Sequence, residues 1–360
     1  MKNIVSQFAI ENEIAEIRPL GNGLINDTYL VRTADPAAAD YVLQRINHKI
    51  FTDVEGLQRN IRIVTDHLRS KLQAAGTPDL DRRVLSFVPL KADPEKTYYF
   101  DGESYCRISR YITDSHTVDT VSPQYAEYAG EAFGRFQADL VDVPAEQLIE
   151  TIPDFHNLSF RIQQLRDAIR LDSAGRLAET RDIADRLLDL APQMTLADRL
   201  HSEGRLPKRI CHCDTKVNNM LFDSEGNVLC VIDLDTVMPS FVFSDFGDFL
   251  RTAANPVAED CPDLDKIGFR LDIFEAFTRG YLRSAGQFLT ETEVENLPYA
   301  AALFPYMQAV RFYVDYLQGD TYYKIQYPDH NLVRTRAQLR LFDCVIAALP
   351  QMKEIVGKCR

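Results

Sequence analysis

Over residues 14–112, short apolar runs alternate with polar residues at the two-residue period of strands, interrupted once by helical spacing. Residues 14–20 lead into Gly21-Asn22-Gly23, and residues 27–32 (Asp-Thr-Tyr-Leu-Val-Arg) read as the return strand of a β-hairpin. Tyr41–Ile46 reads as a third strand. From Asp53 to Lys71 the apolar residues Val54, Leu57, Ile61, Val64, Leu68 and Leu72 recur at helical spacing, with Thr52 or Asp53 as N-cap. Strands at 97–100 and 105–112 flank Asp101-Gly102-Glu103, and Asp-Gly between apolar alternations marks a second hairpin. Past Thr113 the period becomes mainly helical, at 123–140, 157–171, 180–190, 264–284, 291–317 and 334–349. One island, 210–249, reads as β-rich. The pattern predicts an α+β chain with a small β-rich lobe (1–112), a hinge near residues 111–113 and a larger helical lobe (113–360).

Composition narrows the function classes. A length of 360 residues suits two domains or two lobes of one unit, at about 150 residues per domain. With 46% hydrophobic and 26% charged residues the chain is neither disordered nor fibrous. A net charge of −13 without a dense basic patch argues against a nucleic-acid or anionic-membrane binder. It permits a nucleotide, because Mg²⁺ held on carboxylates reverses the local sign. The first residues, MKNIVSQFAIENEIAEI, carry acids where a secretory leader would be apolar, and no run of 18 apolar residues exists. A cytoplasmic protein without an obligate protein partner is expected. The seven cysteines are scattered, so free thiols are expected. Cys211-His212-Cys213 invites a zinc reading, but three adjacent residues cannot all face one ion and no second Cys pair completes a site.

The densest chemistry lies in the island. His212-x-Asp214-x-x-x-x-Asn219 has the spacing of a kinase catalytic loop, followed by a hairpin that ends on Ile232-Asp233-Leu234-Asp235. In that reading Asp214 meets the acceptor hydroxyl, and Asn219 and Asp233 are metal ligands. Asp235 is either a second ligand or a brace for the loop. His212 reads as a packing residue. Upstream, Gly21 and Gly23 would let backbone N–H groups approach phosphate oxygens, with Asn26 and Thr28 as side-chain donors; a plain hairpin turn is the other reading. The third strand should carry a cation toward the phosphates, yet it offers uncharged Gln44, and strand alternation points Arg45 to the opposite face. Glu55, in the first turn of the helix, suits the helix dipole. In Ser244-Asp245-Phe246-Gly247-Asp248, Asp245 is expected to tie down the catalytic loop and Asp248 to cap a following helix.

With these residues in place the chain resembles the aminoglycoside phosphotransferase and choline kinase superfamily, and within it the N-acetylhexosamine 1-kinase group. The matches are Gly21-x-Gly23-x-Ile25-Asn26-x-Thr28-Tyr29-Leu30, Tyr41-x-Leu43-Gln44, Asp214-Thr215-Lys216-x-Asn218-Asn219, Ile232-Asp233-Leu234-Asp235-Thr236, Met238-Pro239 and Phe246-Gly247-Asp248. A late block, running from Arg311-Phe312 through Tyr322 to Arg336, is the most specific. The resemblance implies a two-lobed protein-kinase-like fold and transfer of phosphate from ATP, with Mg²⁺, to the anomeric hydroxyl of GlcNAc or GalNAc. It implies that Gln44 is a trait of the group, that Asp214, Arg311 and Tyr322 meet the sugar, and that adenine sits beside Tyr111 and Ile112. Leu24 stands where that group carries His, which bears on the choice of hexosamine. Other alcohols of the same fold (choline, a methylthiopentose, homoserine, an aminoglycoside) and a nucleotide-binding pseudokinase are the competing readings.

Overall fold

The computed structural model describes residues 1–21 and 25–360, which fall into two compact units. The first comprises Met1–Thr117, Asp142–Pro153 and Met220–Met238, and the second Val118–Val141, Asp154–Asn219 and Pro239–Arg360.

The first unit is built on five antiparallel strands: β1 (Ile14–Pro19), β2 (Asp27–Thr33), β3 (Tyr41–Ile46), β4 (Tyr98–Phe100) and β5 (Tyr105–Arg110), in the order β1-β2-β3-β5-β4. Alternation sends Val31, Tyr41, Leu43, Cys106 and Ile108 to one face, where Ile4, Val5, Phe8, Ile10 and Val88 cover them. The opposite face carries Thr28, Gln44 and Arg107, which the register sets side by side across three strands. The helix Val54–Ala74 starts where its spacing predicted, with Asp53 accepting the Gly56 N–H at 2.8 Å. Its buried Asn60 donates to the carbonyls of Ile149 and Val237 at 2.8 and 3.0 Å. A hairpin of Met220–Phe222 and Val228–Val231 completes this unit.

The second unit is helical. Pro123–Asp139 and Leu271–Ala285 approach so closely that a Cβ on Gly280 would sit 2.1 Å from the Glu127 carbonyl oxygen, and one on Gly130 2.2 Å from that of Phe277. Glycine is required there by contact rather than by backbone conformation. Val242–Ala253 buries Phe246 and Phe249 against Phe274, Phe277 and Tyr281, with Phe249 stacked on Phe277 at 4.2 Å. Leu297–Leu317 and His330–Cys359 complete the bundle.

Several expectations need correction. The end of the expected β-rich island is the helix Val242–Ala253, whose apolar residues Val242, Phe243, Phe246, Phe249, Leu250 and Ala253 recur at helical rather than strand spacing. Asp248 therefore lies inside a helix and caps nothing. The predicted helix at 264–284 is a 3₁₀ turn, Leu264–Lys266, and then Leu271–Ala285. That at 291–317 breaks at Asn296, ahead of Pro298. The last helix runs from His330 to Cys359 and accommodates Pro350. No described helix is long and apolar enough to cross a membrane.

Candidate active site

The loop after Arg209–Cys211 is shaped by one buried carboxylate. Cys213 adopts φ +62°, a left-handed conformation that costs a non-glycine residue about 1–2 kcal/mol. Asp245 holds it there: its carboxylate accepts the backbone N–H groups of His212 and Cys213 at 2.9 and 2.7 Å, and the Gln137 amide at 2.7 Å. Thr215 Oγ1 donates to the Asp245 carbonyl at 2.7 Å, and Tyr281 Oη fixes Gln137 from behind at 2.5 Å. Burial pushes the Asp245 carboxyl above its ordinary value, and the donors offset this only in part. His212 is buried, with Phe133 and Phe136 at its edges, and its Nδ1 accepts the Asp214 N–H at 3.3 Å.

This scaffold presents Asp214 with both carboxylate oxygens engaged. Lys216 Nζ lies 2.7 Å from Oδ1, and Asn219 Nδ2 donates to Oδ2 at 3.1 Å and to the Asp214 carbonyl at 2.8 Å. Burial would lower Lys216, but the carboxylates of Asp214 and Asp248 outweigh it, so the ammonium persists. Behind them Arg251 bridges Asp248 at 3.2 Å and Glu259 at 2.8 Å. With its amide nitrogen turned to Asp214, Asn219 directs its carboxamide oxygen elsewhere, as a hard ligand suited to Mg²⁺.

In the first unit, Asp233 is exposed, at φ +61°, and opens the 3₁₀ turn Leu234–Thr236. Its carboxylate is an oxygen donor of the kind Mg²⁺ takes, an ion that needs only one or two protein carboxylates besides phosphate and water. Asp235 is buried: one oxygen forms an ion pair with Arg107 and the other accepts Asn26 Nδ2 at 2.6 Å. Of the two roles open to Asp235, these partners leave that of a brace. Asn26 also accepts the Asn47 N–H at 2.9 Å, and Gln44 Oε1 accepts Arg107 Nε at 3.0 Å. Gly21 has φ +68°, which glycine adopts without strain, and Leu20 N–H closes the turn on the Thr28 carbonyl at 2.9 Å. Gly23 and Leu24 lie outside the described residues. Tyr111 is half-buried, with its N–H on the Asp40 carbonyl, and Ile112 packs with Leu229 and Cys230.

Arg107 was missed from the sequence. The available signal was a lone cation between Cys106 and Ile108 in the middle of an apolar strand, where alternation sends it to the face shared by Gln44.

Arg311 and Tyr322 meet in one cleft of the second unit, of about 120 Å³, together with Arg161, Gln164, Asp315 and Tyr323; Asp214 is not among its lining residues. Asp315 is fully occupied, accepting the N–H groups of Thr321, Tyr322 and Tyr323 and the Asn331 amide. Neither guanidinium forms an ion pair with a carboxylate among the described residues. Arg311 bonds Gln308 and lies over Phe155 and Tyr323; Arg161 bonds Gln164 and the carbonyls of Asp154 and Phe155. Burial and the neighbouring Arg311 charge bring Arg161 down to about 10, while burial and the same cations keep His156 neutral. Tyr322 is 66% exposed at the rim.

Cys211 and Cys213 are buried with thiols pushed well up, which opposes thiolate ligation. No cluster of three or more His, Cys, Asp and Glu side chains suited to a metal occurs among the described residues.

The sequence profile of the phosphotransferase enzyme family matches residues 16–286. Among solved structures, an aminoglycoside phosphotransferase from Alicyclobacillus acidocaldarius is 14% identical with a TM-score of 0.58, covering 98% of this chain and 96% of its own. An ethanolamine kinase from Plasmodium vivax is 14% identical with a TM-score of 0.54, covering 90% and 82%. An amicoumacin kinase, solved with AMP-PNP and Ca²⁺, is 12% identical with a TM-score of 0.58, covering 95% and 92%. At these identities the likeness shows the fold, a small antiparallel sheet unit and a helical unit in the kinase-like arrangement of elements.

Proposed function

Because the chain belongs to the phosphotransferase enzyme family, we propose that it uses ATP to phosphorylate the anomeric hydroxyl of an N-acetylhexosamine, giving the sugar 1-phosphate. The observation that carries the choice of acceptor is the cleft in which Arg161 and Arg311 lie with no ion-paired carboxylate among the described residues. Two guanidiniums repel ammonium groups, so the cleft disfavours cationic acceptors such as ethanolamine or an aminoglycoside, which the names of the similar structures indicate for those proteins. They offer several N–H donors to hydroxyl and acetamido oxygens, and the exposed Tyr322 ring offers an apolar face to a pyranose.

In this reading Asp214 orients the sugar hydroxyl and accepts its proton as the oxygen attacks the γ-phosphorus and the bond to ADP breaks. Lys216 and Asn219 hold the carboxylate in place for that task. Asn219 and Asp233 are the proposed Mg²⁺ ligands, and Gly21, Gly23, Asn26, Thr28, Gln44, Tyr111 and Ile112 the proposed nucleotide contacts. Bound Mg²⁺ neutralises phosphate charge. Positioning and charge compensation dominate such transfers, which suits a loop fixed as firmly as this one.

A coupled ADP-release assay over GlcNAc, GalNAc, ethanolamine, choline and an aminoglycoside tests the assignment. Turnover on a hexosamine, lost by a factor of about 10² or more in Asp214→Asn, is expected. Turnover confined to an amino alcohol overturns the acceptor, and nucleotide binding without turnover on any alcohol favours the pseudokinase.

A further inference from the structure

The third strand lacks the cation that kinases direct at the nucleotide phosphates, and a buried cation, Arg107, stands on the neighbouring strand. Arg107 of β5 is the register partner of Gln44 on β3, which in turn pairs with Thr28 on β2, so the three side chains form one row on one face of the sheet. The guanidinium donates through Nε to Gln44 and through Nη1 to Asp235, and it lies over the Phe87 ring. Arg107 is 2% exposed, as is Asp235. From Asp235 the network continues to Asn26, and from Asn26 to the Asn47 backbone.

Fold stability does not explain this arrangement, since a buried ion pair is on average no better than apolar side chains of the same volume. The chain places it two residues after Asp233, which stands in a left-handed conformation that persists only where its surroundings over-determine it. We propose that Arg107 is a positioning residue of the nucleotide site: through Asp235 it fixes the turn that presents Asp233, through Asn26 the entry to β2, and through Gln44 the row facing the phosphates. This rests on the ATP-dependent reading above and is independent of which alcohol is the acceptor.

The test uses the full chain and the non-hydrolysable analogue AMP-PNP, so that no acceptor is needed. Arg107→Lys keeps the charge but loses the two-pronged geometry. Arg107→Met paired with Asp235→Leu removes both charges together and leaves neither unpaired in the interior. Thermal melting reports the fold, and calorimetric titration with AMP-PNP reports the site with and without Mg²⁺. A rise in Kd of tenfold or more with Mg²⁺, in every variant whose melting temperature stays within a few degrees of the parent, supports the proposal. Parental affinity in a folded variant overturns it, as does failure of both variants to fold, which makes the pair structural. If the parent binds AMP-PNP but phosphorylates no hexosamine, the acceptor assignment fails and this comparison stands. If the parent binds no nucleotide, the ATP reading falls and the proposal with it.

Discussion

Truncating Asp245 to alanine removes the acceptor of three buried hydrogen bonds, from His212 N–H, Cys213 N–H and the Gln137 amide. Each orphaned donor costs about 1–3 kcal/mol. Against this stands relief of the cost of burying Asp245 itself, visible as a carboxyl pushed up by its surroundings. The balance predicts a loss of about 3–5 kcal/mol, much of the stability of an ordinary domain. Asp245→Asn behaves differently. Its oxygen can still accept from His212 and Gln137, while its amide meets the Cys213 N–H donor to donor, so one bond is lost at about 1–3 kcal/mol. That bond holds Cys213 in its left-handed conformation, immediately before Asp214. The Asn variant should therefore lose turnover out of proportion to its lost stability, with kcat falling further than KM rises. Urea unfolding followed by circular dichroism reads the first quantity, the chain having no Trp for fluorescence, and the ADP-release assay the second. An alanine variant within 1 kcal/mol of the parent, or an Asn variant as unstable as the alanine one, would refute the reasoning.

Two further predictions concern the helix pair Pro123–Asp139 and Leu271–Ala285. Hydrogen bonds from Arg279 and Arg283 lower Glu127 from 4.5 to about 2 against a modest burial cost, so its stabilisation is complete above pH 4.5 and lost as pH falls toward 2. Solvent screening of the half-exposed arginines reduces this to about 1 kcal/mol. Glu127→Gln should melt below the parent at pH 7, with the gap narrowing by pH 3 and closing toward pH 2, whereas a gap independent of pH would exclude the linkage. Gly280→Ala places a methyl 2.1 Å from a backbone oxygen and should cost about 1–3 kcal/mol. Gly357→Ala, with nothing within 4 Å, should instead gain up to about 1 kcal/mol from helix propensity. Thermal melts of the two variants that move in the same direction would sink the packing argument.

Local signals made much of this chain legible in its sequence. The β1–β2 hairpin, β3 and the helix capped by Asp53 could be read because alternation, turn residues and capping act over a few positions. The order of His212, Asp214, Asn219 and Asp233 was equally visible, and with it the family resemblance. What tertiary structure alone decided is which polar groups are consumed in holding others. Asp235 looked like a possible ligand until Arg107, 128 positions away, and Asn26 took its two oxygens. Asp245 reaches back more than 30 positions to fold the loop. The physical reason is the same throughout. Backbone preference and amphipathic period are properties of neighbours in the chain. The partner of a buried charge is set by desolvation, which requires a partner without saying where in the chain it lies.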